Sequence, residues 1–196
     1  LGVCVEEITI DFQSTTLAGQ FSYALMMSIM GGVVLAFPYI FYQLWAFVKP
    51  GLKGNEKQMA KGIVFYVSLL FFSGILFGYY VVAPLSVQFF GNFQITPEIK
   101  TDVTIASYMS TILSTVFYTG LFFLFPIVTF LLVKIGLFTP EFLIKYRKHA
   151  IVIILILAAV ITPPDVISQV IVTIPIYVLY EVSILVAKRV VKTDQA

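Results

Sequence analysis

Few side chains in this chain of 196 residues are of types that carry out chemistry, and they lie far apart along the sequence. Glu181 is an acid within an apolar stretch, and Asp165 lies in the segment ITPPDVISQ at residues 161–169. A carboxylate inside a membrane segment is typically paired or tied to function. We therefore interpret Glu181 in two ways: as a carboxylate that snorkels or pairs with a loop lysine, or as a docking or proton-linked group.

Known catalytic motifs are absent, since the chain contains no H-E-x-x-H, G-x-S-x-G or Walker A sequence. His149 is the single histidine, and Cys4 is the single cysteine, which excludes an internal disulfide and a site built from several cysteines. No group of acids has the spacing of a metal site. We expect no enzyme, no cofactor and no metal, and we attribute the basic loops to membrane topology rather than to nucleic-acid binding.

Hydroxyl groups recur in the third apolar segment at steps of three and four residues, which places many of them on one helix face. In lipid, such a face turns toward protein or water. Helix packing and a polar path for a solute both explain this pattern, so a small-solute secondary transporter is the alternative function. Transporters of that class often contain repeated halves, and we find no clear internal repeat. The residues are Ser107, Ser110, Thr111, Ser114, Thr115, Tyr118 and Thr119.

The composition predicts an all-α membrane protein, because 60% of the residues are hydrophobic and 11% are charged, against about 25% charged in soluble domains. The first three of five predicted helices exceed the roughly 20 residues needed to span a bilayer, so we expect them to tilt, or to bend at Pro38 and Pro126. The fourth extends only about 18 Å. Unequal lengths predict a concave helical bundle. The predicted helices are about 16–48, 59–88, 103–133, 150–161 and 166–187, within a single domain of residues 1–196.

Positive charge is confined to one side of these helices, because every lysine and arginine except Lys100 lies after the first helix, after the third helix or in the tail. The positive-inside rule makes that side cytoplasmic, including the tail at residues 188–196. Residues 1–15 and the segment 161–169 are then outside. Pro163 and Pro164 end the fourth helix there, and Asp165 can cap the fifth. A simple capped hairpin and a further functional role both remain open for this segment.

Four stretches together resemble the TatC family, the multispanning core subunits of the twin-arginine protein translocase. They are AFPYIFYQLWAFVKPGLKGNEKQ, GYYVVAPL, IASYMS and ITPPDVISQVIVTIPIYVLYE, in that order. The likeness extends from about residue 21 to residue 189. It implies a concave fold of six membrane helices, of which five are present here. We therefore expect the family's first helix and its cytoplasmic N-terminal segment to be missing from this sequence.

The resemblance implies a signal-peptide receptor that exports folded proteins across the prokaryotic cytoplasmic, or inner, membrane, using the proton motive force and no cofactor. Its partners would be TatB and TatA family subunits, the lipid bilayer and twin-arginine signal peptides, in an oligomeric complex. The signal-peptide site would comprise Glu56, which receives the signal arginines, with Phe47, Pro50, Leu52, Gln43 and Lys53.

The resemblance also implies an outer-face set linked to translocation and a set for partner docking. The outer-face residues are Asp165, Gln169, Pro163 and Pro164. The docking residues are Glu181, Thr115, Thr119 and Leu124. Leu124 departs from the family, which often carries glutamate or glutamine at that position. Thr104 and Met26 stand where the family often has aspartate and lysine.

Overall fold

The computed structural model describes residues 18–48, 59–92, 104–134, 137–162 and 165–194, and every regular element in these ranges is helical. Four stretches are long and apolar enough to cross a membrane, as the all-α membrane prediction requires. The fold class is therefore confirmed, and the count of six helices stays a prediction. The four stretches are Gly19–Phe47, Gly62–Gly91, Ile105–Val133 and Val166–Lys188.

The first helix, α1 (Gly19–Val48), remains helical through Pro38, although the proline ring removes one backbone donor. It contacts the following helix through stacked rings, since the ring centroids of Phe37 and Phe71 are 3.7 Å apart. In the most apolar 18-residue stretch of this helix, no residue is buried within the described chain. Trp45, near its C-terminal end, is buried at 5% exposure.

The second stretch consists of α2 (Met59–Phe77), a π-helical turn (Gly78–Val82) and α3 (Ala83–Asn92), which follow one another without a gap. The Ala83 N–H donates to the Gly78 carbonyl five residues earlier, which is the bond that defines a π turn. Pro84 comes next and has no N–H to donate. The turn therefore widens where the regular ladder of hydrogen bonds is already interrupted.

The third stretch is divided into α4 (Ile105–Phe122) and α5 (Phe125–Lys134) by two residues that leave the regular helix. Pro126 is the second residue of α5, where its missing N–H costs little. The sequence predicts a bend at Pro126, and the interruption lies directly before it. At the other end, the Thr104 hydroxyl accepts the Ser107 N–H at 3.2 Å and caps α4.

The last elements are α6 (Pro140–Lys145), α7 (Arg147–Ile161) and α8 (Val166–Asp194). The 15 residues of α7 extend about 22 Å, which is less than the roughly 30 Å hydrocarbon core. It begins three residues before the predicted start because Arg147, Lys148 and His149 form a polar first turn, which a search for apolar runs leaves out. α8 extends through Pro175 to Asp194, beyond the predicted end at residue 187.

Two contact regions hold the described helices together. Between α2 and α4, Gly74 lies so close to Gly120 that a Cβ added to Gly74 would be 2.9 Å from the Gly120 Cα. The second region joins α5, α7 and α8 through buried apolar side chains such as Ala158, Val172 and Ile176. It positions the polar groups that follow.

Candidate functional site

Asp165 caps the N-terminus of α8. Its Oδ2 atom accepts both the backbone N–H and the hydroxyl of Ser168, each at 2.9 Å. The Ser168 backbone bond, followed by the hydroxyl bond, holds the pKa of this carboxyl below its ordinary value of 3.8. The charged carboxylate also suits the positive end of the helix dipole. This arrangement supplies the capping role that the sequence predicts for Asp165.

Gln169 connects the beginning of α8 to the middle of α7, because its side-chain Nε2 donates to the Leu155 carbonyl at 3.0 Å. Its own backbone carbonyl accepts the Thr173 hydroxyl at 2.7 Å. Asp165 and Gln169 are one helical turn apart, so capping and cross-linking occur at the same end of α8. Pro163 and Pro164, the other outer-face residues predicted from the sequence, lie outside the described residues.

Glu181 is bound through both carboxylate oxygens. The Arg147 guanidinium donates to Oε2 at 2.8 Å, and the Tyr177 hydroxyl donates to Oε1 at 2.9 Å. The ion pair joins the first residue of α7 to α8 and is partly exposed, with 42% of the Arg147 side chain and 31% of the Glu181 side chain accessible. The sequence suggests pairing with a loop lysine, whereas the structure pairs Glu181 with Arg147, an arginine of the same basic segment.

Two further features of this network cannot be predicted from the sequence. Tyr177 lies one turn before Glu181, a spacing that allows the contact but does not distinguish it from ordinary packing. Tyr180 is 3% exposed and donates its hydroxyl to the Leu143 carbonyl of α6 at 2.7 Å. α8 therefore holds both α6 and α7 through polar side chains near its C-terminal half.

Thr115 and Thr119 lie inside the α2–α4 contact region, at 3% and 0% exposure. The Thr119 hydroxyl donates to the Thr115 carbonyl at 2.7 Å, and its Cβ would lie 3.1 Å from a Cβ added to Gly78. Leu124 is half-buried within the interruption between α4 and α5. In the described chain these threonines contact a neighbouring helix, and a docking role for them stays a prediction.

The hydroxyl groups of α4 are largely bonded to their own helix. The Thr111 hydroxyl donates to the Ser107 carbonyl at 2.8 Å, and the Ser114 hydroxyl donates to the Ser110 carbonyl at 2.6 Å. These donors are satisfied within the helix, as in ordinary helix packing. The structure therefore gives no support to a polar path along this helix.

The predicted signal-peptide residues divide between described and undescribed parts of the chain. Gln43 and Phe47 lie in the last turns of α1: the Gln43 amide donates to the Tyr39 hydroxyl at 2.7 Å, and Phe47 is 85% exposed. Trp45, between them, is buried, and its indole N–H has no acceptor among the residues that the structure describes. The others, Pro50, Leu52, Lys53 and Glu56, lie outside the described residues.

No group of three or more histidine, cysteine, aspartate or glutamate side chains that could hold a metal ion occurs among the residues that the structure describes. The polar side chains instead connect helices to one another.

Comparison with known proteins gives a consistent result. A family model described as "Sec-independent protein translocase protein (TatC)" matches residues 3–175. A TatC protein of Blattabacterium is 40% identical over 93% of this chain and 69% of its own length. A TatC protein of Helicobacter pylori strain J99 is 40% identical over 85% of this chain and 67% of its own length. The TatCy protein of Bacillus subtilis is 38% identical over 84% of this chain and 65% of its own. The chain thus spans about two thirds of these relatives' length.

The fold also matches a solved structure. A crystal structure described as the twin arginine translocase receptor TatC in DDM superimposes with a TM-score of 0.75 and 34% identity. The superposition covers 91% of this chain and 79% of that one. Sequence and fold therefore agree over nearly the whole chain.

Proposed function

Because this chain belongs to the TatC family of Sec-independent protein translocase proteins, we propose that it is the signal-peptide receptor and a core component of a twin-arginine translocation complex. The observation that carries this proposal is the match of 91% of the chain to a structure described as the twin arginine translocase receptor. It is a translocase component and not an enzyme. The complex would export folded proteins across the prokaryotic inner membrane, driven by the proton motive force.

The proposed peptide site lies at the C-terminal end of α1 and in the residues that follow it. Glu56 would accept the paired arginines of the signal peptide, because a carboxylate binds a guanidinium through two parallel hydrogen bonds. Phe47 is 85% exposed and offers an apolar contact to the same peptide, with Gln43 one turn earlier on α1. Pro50, Leu52 and Lys53 would shape the intervening loop.

The outer-face role rests on the contacts of Asp165 and Gln169. These two residues fix the first turn of α8 and attach it to the Leu155 carbonyl of α7. We expect the attachment, with Pro163 and Pro164, to hold the short helix in place during translocation. The contacts of Asp165 and Gln169 support this proposal.

The proposed partners are TatB and TatA family subunits, assembled with the protein into an oligomeric complex. Glu181 would dock such a subunit through its partly exposed carboxylate, which the Arg147 guanidinium already orients. Thr115, Thr119 and Leu124 belong to the same proposed docking set. The bias of basic residues toward one side places the C-terminus in the cytoplasm under this proposal.

The test is to substitute Glu56→Gln in the full-length protein and to measure photo-crosslinking of a twin-arginine signal peptide in membranes. We expect the yield to fall at least about tenfold, since a hydrogen bond to a charged group contributes about 1.5–3 kcal/mol. Glu141→Gln is the matched control, because Glu141 is an exposed glutamate in the first turn of α6. Its yield should equal that of the wild type.

A peptide with two lysines in place of the arginines provides a second comparison, because an ammonium group cannot form the bidentate contact. It should crosslink weakly to the wild type and be little affected by Glu56→Gln. If Glu56→Gln binds the arginine peptide as well as the wild type does, Glu56 is not the receiving carboxylate. If the wild-type protein fails to crosslink at all, the receptor assignment itself is wrong.

A further inference from the structure

Four rings form a continuous column across the junction of α6 and α7. The ring centroids are 5.1 Å, 4.4 Å and 5.3 Å apart in chain order, within the range of favourable aromatic pairs. Phe138 precedes α6, Phe142 lies within it, Tyr146 lies at its junction with α7, and His149 lies in the first turn of α7. We call this column the aromatic ladder; it consists of Phe138, Phe142, Tyr146 and His149.

The opposite face of α6 is attached to the bundle. Leu143 is 6% exposed, and its carbonyl accepts the buried Tyr180 hydroxyl at 2.7 Å. The ladder is therefore held outward, where Phe142 and Tyr146 remain 42% and 38% exposed. In the described chain each ring contacts the next; Phe138 also packs against the buried core, whereas the other three rings stay exposed.

Two free positive charges flank the ladder. Lys145 and Lys148 are exposed, and neither forms an ion pair with any residue that the structure describes. Arg147 lies between them in sequence but is engaged by Glu181. The exposed acid on α6 is Glu141, so the two ammonium groups outnumber it. The surface thus combines stacked rings with a net positive charge.

We propose that the aromatic ladder, together with Lys145 and Lys148, binds the headgroup of an anionic phospholipid in the adjacent membrane leaflet. Aromatic rings favour the level of the headgroups, and lysines near the membrane surface attract anionic lipids. Leu137, next to Phe138 in the chain, is exposed and adds apolar surface. The arginines of a cationic peptide would be repelled by the same lysines.

This site has a mechanical role because it lies at the first turn of α7. A headgroup held beside Lys148 fixes the level of the lipid surface at that end of the helix. The difference between the length of α7 and the thickness of the bilayer must then be accommodated by local thinning or at the other end of the helix.

Native mass spectrometry of the full-length protein in detergent, with phosphatidylglycerol or phosphatidylcholine added, tests the proposal without any signal peptide. The double substitution Lys145→Gln, Lys148→Gln should weaken phosphatidylglycerol binding on the order of thirtyfold, about fivefold for each lysine near a membrane surface, and leave phosphatidylcholine unchanged. Tyr146→Ala should weaken both lipids alike, since it interrupts the ladder without altering charge. Lys188→Gln, at an exposed lysine of α8, should bind as the wild type does.

Three results would overturn the proposal. Wild-type affinity of the double variant for phosphatidylglycerol would exclude the two lysines. Displacement of the lipid by inorganic phosphate at matched concentration would indicate a site for free anions. Displacement by a soluble polyglutamate peptide at equal charge would indicate a surface for an acidic protein. Each of these outcomes leaves the receptor assignment untouched, because no signal peptide takes part.

Discussion

The pair of Arg147 and Glu181 shows that the type of a residue can predict a partner without identifying it. An acid among apolar residues predicts a partner, but 34 residues separate this glutamate from the arginine that binds it. Both side chains are partly exposed, so solvent screens part of their attraction. The pair therefore contributes more to the geometry at the beginning of α7 than to the free energy of unfolding.

Asp165 gives a pH-dependent prediction. Its carboxylate is bound by Ser168 and has a lowered pKa in the folded protein, so the bound form stabilises the fold above the ordinary value of 3.8. That contribution is lost as the pH falls through the lowered pKa. We therefore expect Asp165→Ala to lower the melting temperature in detergent at pH 7, and the difference from wild type to shrink steadily as the pH falls below about 4.

Thr104→Ala is the control, because the Thr104 hydroxyl caps α4 without titrating. Its effect on the melting temperature should be the same at both ends of this pH range. If the Asp165→Ala difference is also constant with pH, the charged carboxylate is not what caps α8.

At the scale of the helices, the contact between α2 and α4 depends on the absence of side chains. A Cβ on Gly74 would lie 2.7 Å from the Cβ of Phe123, and a Cβ on Gly120 would lie 2.7 Å from the end of Ile75. Without these atoms the two backbones approach closely, which gives the dispersion contacts that hold membrane helices together. Gly74 and Gly78 form a GxxxG pattern, which is weak evidence in a sequence, and here both glycines lie against the α4 stretch.

Gly74→Ala should therefore destabilise the protein by about 1–3 kcal/mol, the usual cost of overpacking a close contact. Gly62→Ala in the same helix is the matched substitution, because nothing lies within 4 Å of an added Cβ. Alanine there should be neutral or stabilise by up to about 1 kcal/mol. Reversible unfolding in detergent measures both changes, and equal effects of the two substitutions would contradict the packing argument.

The sequence predicts the long helices well, because an apolar run of about 20 residues in a membrane protein has few alternatives to a helix. It predicts irregularities less well. Pro126 signals the interruption before α5, but Pro38 and Pro175 have the same chemistry and their helices continue. Only neighbouring helices decide which proline interrupts a helix, and a linear pattern does not contain that information.

The candidate site likewise combines contacts that the sequence predicts with contacts that it does not. The cap at Asp165 follows from local spacing, since a carboxylate three residues before Ser168 reaches its N–H. The bond from Gln169 to Leu155 and the pair of Arg147 with Glu181 join different helices. Such contacts depend on how the helices pack. The residue types alone therefore show that a polar group needs a partner, but they do not identify that partner.

At the scale of the whole molecule, the distribution of lysine and arginine predicts which ends of the helices share a side. We expect a thiol-reactive, membrane-impermeant reagent to label Val166→Cys from outside and Lys188→Cys only after the membrane is opened, in a Cys4→Ser background. Both positions are exposed, at opposite ends of one span. Labelling of both from the same side of intact cells would contradict the proposed orientation.

The short α7 also has an electrical consequence. Where the bilayer thins from about 30 Å to the roughly 22 Å that α7 extends, the same transmembrane voltage falls across a shorter distance. The electric field beside α7 is then stronger by about a third, while the work of moving one charge across remains about 2.3 kcal/mol per 100 mV. A polar group beside this helix would experience the steepest part of the membrane's field.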